Sequence, residues 1–149
     1  MSILFINGSP NKNGNTKHLA DALLAGKTYE TLNLVDYKIY SYGQEFDNDQ
    51  FDEVVDAMKK ADTIVIGSPV YWYSLSGALR NLLDRFYGPV PMGSFKGHKL
   101  LFLFQGHSPQ PWMFEKGEFT ISRFATLYGL DYEGMATTAE EAKKLAARL

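Results

Sequence analysis

Ile3-Leu4-Phe5-Ile6 runs directly into Asn7-Gly8-Ser9-Pro10-Asn11-Lys12-Asn13-Gly14-Asn15-Thr16, after which a helical pattern begins. A continuous apolar run this short suits a strand covered on both faces, as in a parallel sheet. The helix that follows is read over 16–25, with Leu19, Ala20, Leu23 and Leu24 at helical spacing and Gly26 as its stop. Between them lie hydroxyls, side-chain amides and backbone N–H groups at the positive end of a helix. That arrangement suits a phosphate. Helix capping by Asn15 or Thr16 alone would need fewer residues.

Working outward, the same alternation recurs. Thr31 to Val35 reads as a second strand, and Phe51, Val54, Val55 and Met58 form the stripe of a second helix with Asp49 as its N-cap. Thr63-Ile64-Val65-Ile66 is a third strand, turned by Gly67-Ser68-Pro69 because proline lacks the N–H that pairing needs. Leu75, Leu79, Leu82, Leu83 and Phe86 mark a third helix, and Leu100 to Phe104 a fourth buried strand ending in Gln105-Gly106-His107-Ser108. A fourth helix falls between Pro111 and Tyr128, with Gly129 as its stop and its start blurred by Gly117. Asp131 to Thr137 reads as a fifth strand. Thr138 and Glu141 have capping-box spacing ahead of Ala142, Leu145, Ala146 and Leu149.

Five strands alternating with helices predict an α/β, doubly wound parallel sheet with helices on both faces. Five strands in a chain of this length favour the order 2-1-3-4-5. A ligand is expected beyond the carboxyl ends of strands one and three. The 149 residues fit one domain, read over 1–149. The formal charge of -2 offers no field for nucleic acid or an anionic membrane, so a small-molecule partner is expected. With no cysteine present, these residues hold no disulfide, thiolate metal site, iron-sulfur ligand or thiol nucleophile. The first residues show neither a basic n-region nor a long apolar stretch, and a cytoplasmic location is the expectation.

The polar loop is not a P-loop: Gly8 and Gly14 are one residue too far apart, and Asn15 stands where lysine is required. It lacks G-x-G-x-x-G as well, and a phosphatase loop would need a cysteine. What remains is a monophosphate held mainly by neutral donors. The loop after strand three, Ser68-Pro69-Val70-Tyr71-Trp72-Tyr73-Ser74, carries three consecutive aromatics that cannot all face a core. At least one should offer its ring to a flat partner.

Gly8 to Thr16 (GSPNKNGNT) and Gly67 to Phe86 (GSPVYWYSLSGALRNLLDRF) resemble the flavodoxin-like NAD(P)H-dependent FMN reductases and quinone reductases. The resemblance implies FMN as cofactor and NADH or NADPH as hydride donor. It places Ser9, Asn11, Gly14, Asn15 and Thr16 around the phosphate, and Pro69, Val70, Tyr71, Trp72 and Tyr73 along the ribityl chain and ring. Gly106 and His107 would form a third wall. The expected activity is an oxidoreductase cycle: hydride passes from nicotinamide to flavin, then electrons pass to a small acceptor such as a quinone, flavin, nitro or azo compound. No acid-base dyad is needed. His107 is the one candidate for tuning, and His18 and His98 are weaker. Asn11 departs from the arginine of many relatives, which implies either a lower phosphate affinity or compensation by Lys12. The cysteine motif of the iron-sulfur branch is missing, which points to the FMN-only members. Relatives imply a homodimer, and Tyr87, Pro89, Val90, Pro91 and Met92 offer an apolar partner surface. The alternatives are a flavodoxin-type electron shuttle, disfavoured by the weak negative charge, and a flavin-free module on the same fold.

Overall fold

A computed structural model describes residues 1–149. Five strands, β1 (Ile3–Asn7), β2 (Glu30–Asn33), β3 (Thr63–Pro69), β4 (Lys99–Gln105) and β5 (Asp131–Ala136), alternate with α1 (Asn15–Leu23), α2 (Phe51–Lys60), α3 (Gly77–Arg85), α4 (Pro111–Tyr128) and α5 (Ala139–Leu145). The sheet is wholly parallel in the order β2-β1-β3-β4-β5, as the alternation predicts. No helix is long and apolar enough to cross a membrane.

Residue parity along the central strands divides the core in two, because successive side chains point to opposite faces. Leu4, Ile6, Ile64, Ile66, Leu100, Phe102 and Phe104 face α2, α3 and α4, meeting Val54, Met58, Leu79, Leu82 and Ile121. Ile3, Phe5, Val65, Leu101 and Leu103 face α1 and α5, meeting Leu19, Leu23 and Ala142. Burial on both faces is why these strands read as unbroken apolar runs.

Several boundaries differ from the sequence reading. The second strand begins at Glu30 and gives way to a 3-10 turn over Leu34–Asp36. Val35 is therefore on the surface, 49% exposed. Asp49 lies one residue before the cap position at Gln50. Its Oδ1 still accepts from the Phe51 N–H at 2.9 Å, but its main partner is Arg85, at 2.6 and 3.1 Å. Gly67-Ser68-Pro69 is strand rather than turn: Pro69 stays in register with Gln105, and pairing continues to Val70 N–H on Gln105 O at 2.7 Å. Proline is tolerated there because it stands at the strand end.

Gly117 neither starts nor breaks α4. It is buried, and a Cβ there would run into the Phe104 ring, so glycine serves close helix-sheet packing. The helix starts at Pro111 in its first turn and ends at Gly129 in the left-handed conformation, φ 83°. On β5, Gly134 at φ 133° sits where the register with β4 shifts between Leu100 and Leu101. Thr138 caps α5 by accepting from Glu141 N–H at 3.2 Å, while Glu141 reaches back to the Thr137 N–H at 2.8 Å.

Candidate functional site

The loop after β1 is held by its own short polar side chains. Asn7 Oδ1 accepts from Ser9 N–H at 3.0 Å, Ser9 Oγ from Asn11 N–H at 3.1 Å, and Asn11 Oδ1 from Asn13 N–H at 3.1 Å. This relay of local side-chain-to-backbone bonds explains the alternating Asn and Ser. It leads into α1 at Gly14, which has no side chain to cap the helix. The N–H groups of Asn15, Thr16 and Lys17 consequently have no acceptor within the protein. Three unpaired donors at the positive end of a nine-residue helix are the kind of group an anion can pair with.

Tight packing positions that helix end. Gly67 on β3 lies under Thr16: a Cβ on Gly67 would come within 2.6 Å of Thr16 Cγ2 and 3.0 Å of Phe5 Cε2. Thr16 is fully buried, and its Oγ1 accepts from Gln105 Nε2 at 3.1 Å. Its side chain therefore braces α1 on the sheet. Of the other phosphate-loop candidates, Ser9 is buried, whereas Asn11 and Asn15 are exposed. Lys12 points to Asp36, with Nζ 2.7 Å from the carboxylate.

A serine pair locks this loop to the next one. Ser76 caps α3, accepting from Leu79 N–H at 3.3 Å, and donates to Gly8 O at 2.7 Å. The Ser76 N–H donates to Ser68 Oγ at 2.9 Å, and Ser68 Oγ donates to Pro69 O at 2.8 Å. Both serines are buried and fully engaged, so they hold the loops together rather than meet a ligand.

Tyr71 to Ser74 form a tight reversal closed by Tyr71 N–H on Ser74 O at 3.0 Å and Ser74 N–H on Tyr71 O at 3.1 Å. Its central residues, Trp72 (φ 48°) and Tyr73 (φ 66°), are the only non-glycine residues with positive φ. All three aromatics are exposed, Trp72 to 90%. Tyr71 lines a hollow of about 190 Å³ with Gly8, Ser9, Pro10 and the start of α3. Tyr73 lines a second, of about 200 Å³, with Val70, Gly106, His107, Pro109 and Met113. One short turn thus contributes a wall to both hollows, which lie beyond the carboxyl ends of β1, β3 and β4, where a switch-point ligand belongs. A larger hollow, about 380 Å³, lies at the opposite end of the sheet beside Ile3 and Glu30 and has neither the helix start nor the glycines. Chemistry, not size, selects the site.

The family model for NADPH-dependent FMN reductases matches residues 1–110, which carry both loops. The chain belongs to that family. Curated relatives include an iron-sulfur flavoprotein of Archaeoglobus fulgidus, 36% identical over 98 residues and matched across 57% of this chain and 48% of that protein. Another is a putative NAD(P)H-dependent FMN-containing oxidoreductase, YwqN, of Bacillus subtilis, 28% identical over 94 residues, 58% of this chain and 52% of that one. The chain spans about half the length of the curated relatives it matches. Among solved structures, an NADH:FMN oxidoreductase in its apo form superposes with a TM-score of 0.72 at 22% identity, covering 99% of this chain and 87% of that one. This last likeness establishes the flavodoxin-like fold.

Sequence reasoning did not pick out Asn7, Gln105, Ser68 and Ser76 as braces, nor Trp112. Asn7 carried a signal, a polar residue closing an apolar strand. Trp112 carried none, being distant in sequence from the turn whose Tyr73 it meets.

Proposed function

We propose that residues 1–149 form one FMN-binding domain that oxidises NADH or NADPH and passes the electrons to a small acceptor such as a quinone, free flavin, nitro compound or azo compound. The observation that carries this reading is the uncapped start of α1, where Asn15, Thr16 and Lys17 hold three unpaired N–H donors over the Gly67 cradle. The fit to FMN rests on this neutral donor set, which suits a monophosphate, and on the exposed aromatics next to it. In this reading Ser9, Asn11, Gly14, Asn15 and Thr16 enclose the phosphate. Pro69, Val70, Tyr71, Trp72 and Tyr73 line the ribityl chain and ring, and Gly106 and His107 close the third side.

Bound FMN would supply the hydride chemistry, accepting from reduced nicotinamide and delivering to the second substrate. The protein's task is then positioning. The helix end would hold the phosphate, the Ser68–Ser76 lock fixes the two loops relative to each other, and the turn would supply aromatic rings to the flavin. Tyr87 and Met92, 65% and 71% exposed, extend the proposal to a homodimer covering this surface. A strictly monomeric sedimentation profile with full turnover would refute that extension.

The deciding experiment is an absorption spectrum after incubation with excess FMN and desalting, followed by anaerobic addition of NADH or NADPH. Retained yellow colour that bleaches promptly is expected. Colour that persists would turn the reading to an electron shuttle, and a colourless protein would overturn the phosphate assignment.

A further inference from the structure

Trp112 lies just past the stretch shared with the family model, in the first turn of α4 behind Pro111. Its ring meets that of Tyr73 with centroids 5.7 Å apart and planes tilted by 34°. Neither ring is covered: Tyr73 is 57% and Trp112 48% exposed. Beside them opens the hollow of about 200 Å³ lined by Tyr73, His107 and Met113.

The backbone under Tyr73 is strained. Two adjacent left-handed residues are ordinary for Asn-Gly but unfavourable for large side chains. A turn needed only to join β3 to α3 would be made at less cost by asparagine and glycine. Here the strained positions carry a tryptophan at the tip and a tyrosine turned onto α4. Strain of this kind persists where the surroundings enforce it and the side chain is used.

We propose that Tyr73 and Trp112 form an aromatic platform for the electron acceptor, and that Trp112 selects ring-bearing acceptors, of naphthoquinone type, over ring-free ones. The proposal rests on the reductase reading above. The overall reaction is NAD(P)H + H⁺ + quinone giving NAD(P)⁺ + hydroquinone, so the two electrons and both protons are accounted for. The platform adds a stacking surface for the quinone and no proton or electron of its own. A ring-free acceptor such as ferricyanide gains nothing from it.

The chain has two tryptophans, Trp72 and Trp112, so both report on this region. In a W72F chain the tryptophan emission, excited selectively over that of the tyrosines, comes from Trp112 alone. Naphthoquinone titrated without any reductant is expected to quench it with saturation; a linear, unsaturable quench would overturn the platform. In steady state, W112A is expected to lower the kcat/KM ratio of naphthoquinone to ferricyanide by roughly ten-fold, mostly through KM, and W112F to recover most of it. An unchanged ratio in W112A, or a loss that W112F shares in full, would overturn the proposal. Should the wild-type protein retain no FMN, the reductase reading falls, and the W72F titration on the flavin-free chain still decides the platform.

Discussion

Gly67→Ala adds one methyl group beneath the helix end that the phosphate reading depends on. The new Cβ would lie 2.6 Å from Thr16 Cγ2, against 3.4 Å for ordinary contact, so Thr16 must withdraw by about 0.8 Å. It has little freedom to do so sideways, since Thr16 and Phe5 are both fully buried and Thr16 is tied to Gln105. The first turn of α1 moves with it. Overpacking of this sort costs about 1–3 kcal/mol. Removing glycine from a strand returns roughly 0.5–1 kcal/mol, leaving a net loss of about 0–2.5 kcal/mol. For a chain of this size that is a fall in Tm of up to about 10 °C. The consequence for binding is larger than for folding, because N–H···O bonds operate within a window of only about 0.5 Å. Losing part of one charge-assisted bond, about 1.4 kcal/mol, weakens FMN roughly ten-fold. The assay pairs thermal denaturation of the flavin-free protein with a titration of FMN fluorescence. A variant that melts at or above the wild-type temperature and binds FMN equally well would refute the claim that close approach of α1 to β3 builds the site.

Asp36→Asn should tighten FMN binding about two- to five-fold at low salt, because it frees the Lys12 ammonium, now 2.7 Å from the carboxylate, to face the phosphate. Screening should erase the gain at about 0.5 M salt, and equal affinities at low salt would show that Lys12 does not act there. The Arg85 guanidinium, aided by N–H donors from Phe51 and Tyr40, pulls the Asp49 carboxyl from 3.8 down to about 2. Because the folded value lies below the unfolded one, the associated stability is present above pH 4 and is lost as pH falls through about 2. Asp49→Asn should therefore cost roughly 2 kcal/mol in urea unfolding at pH 7, with the gap to wild type closing toward pH 2. A gap independent of pH would refute the pairing as its cause.

The sheet order was legible because burial on both faces turns β1, β3 and β4 into unbroken apolar runs, and connections of this kind have few allowed topologies. Boundaries were less legible wherever a residue has two physical uses. Gly117 blurs the start of the fourth helix in the sequence, yet it is the point where Phe104 approaches α4. Pro69 reads as a turn, yet at the end of a strand its missing N–H costs nothing. Asp49 reads as a cap, but the competing partner, Arg85, is supplied by a helix packed against it from a later part of the chain.

The same division runs through the site. Local chemistry determined that the loop after β1 would suit an anion and that Tyr71 to Tyr73 could not all be buried, since both follow from residue type and immediate spacing. Tertiary structure decided which members of those loops remain available. Thr16 is turned into the sheet by Gln105, Lys12 is held by Asp36, and Tyr73 finds Trp112. Those outcomes depend on partners brought together by parallel pairing of distant strands, and the spacing within any one segment carries no record of them.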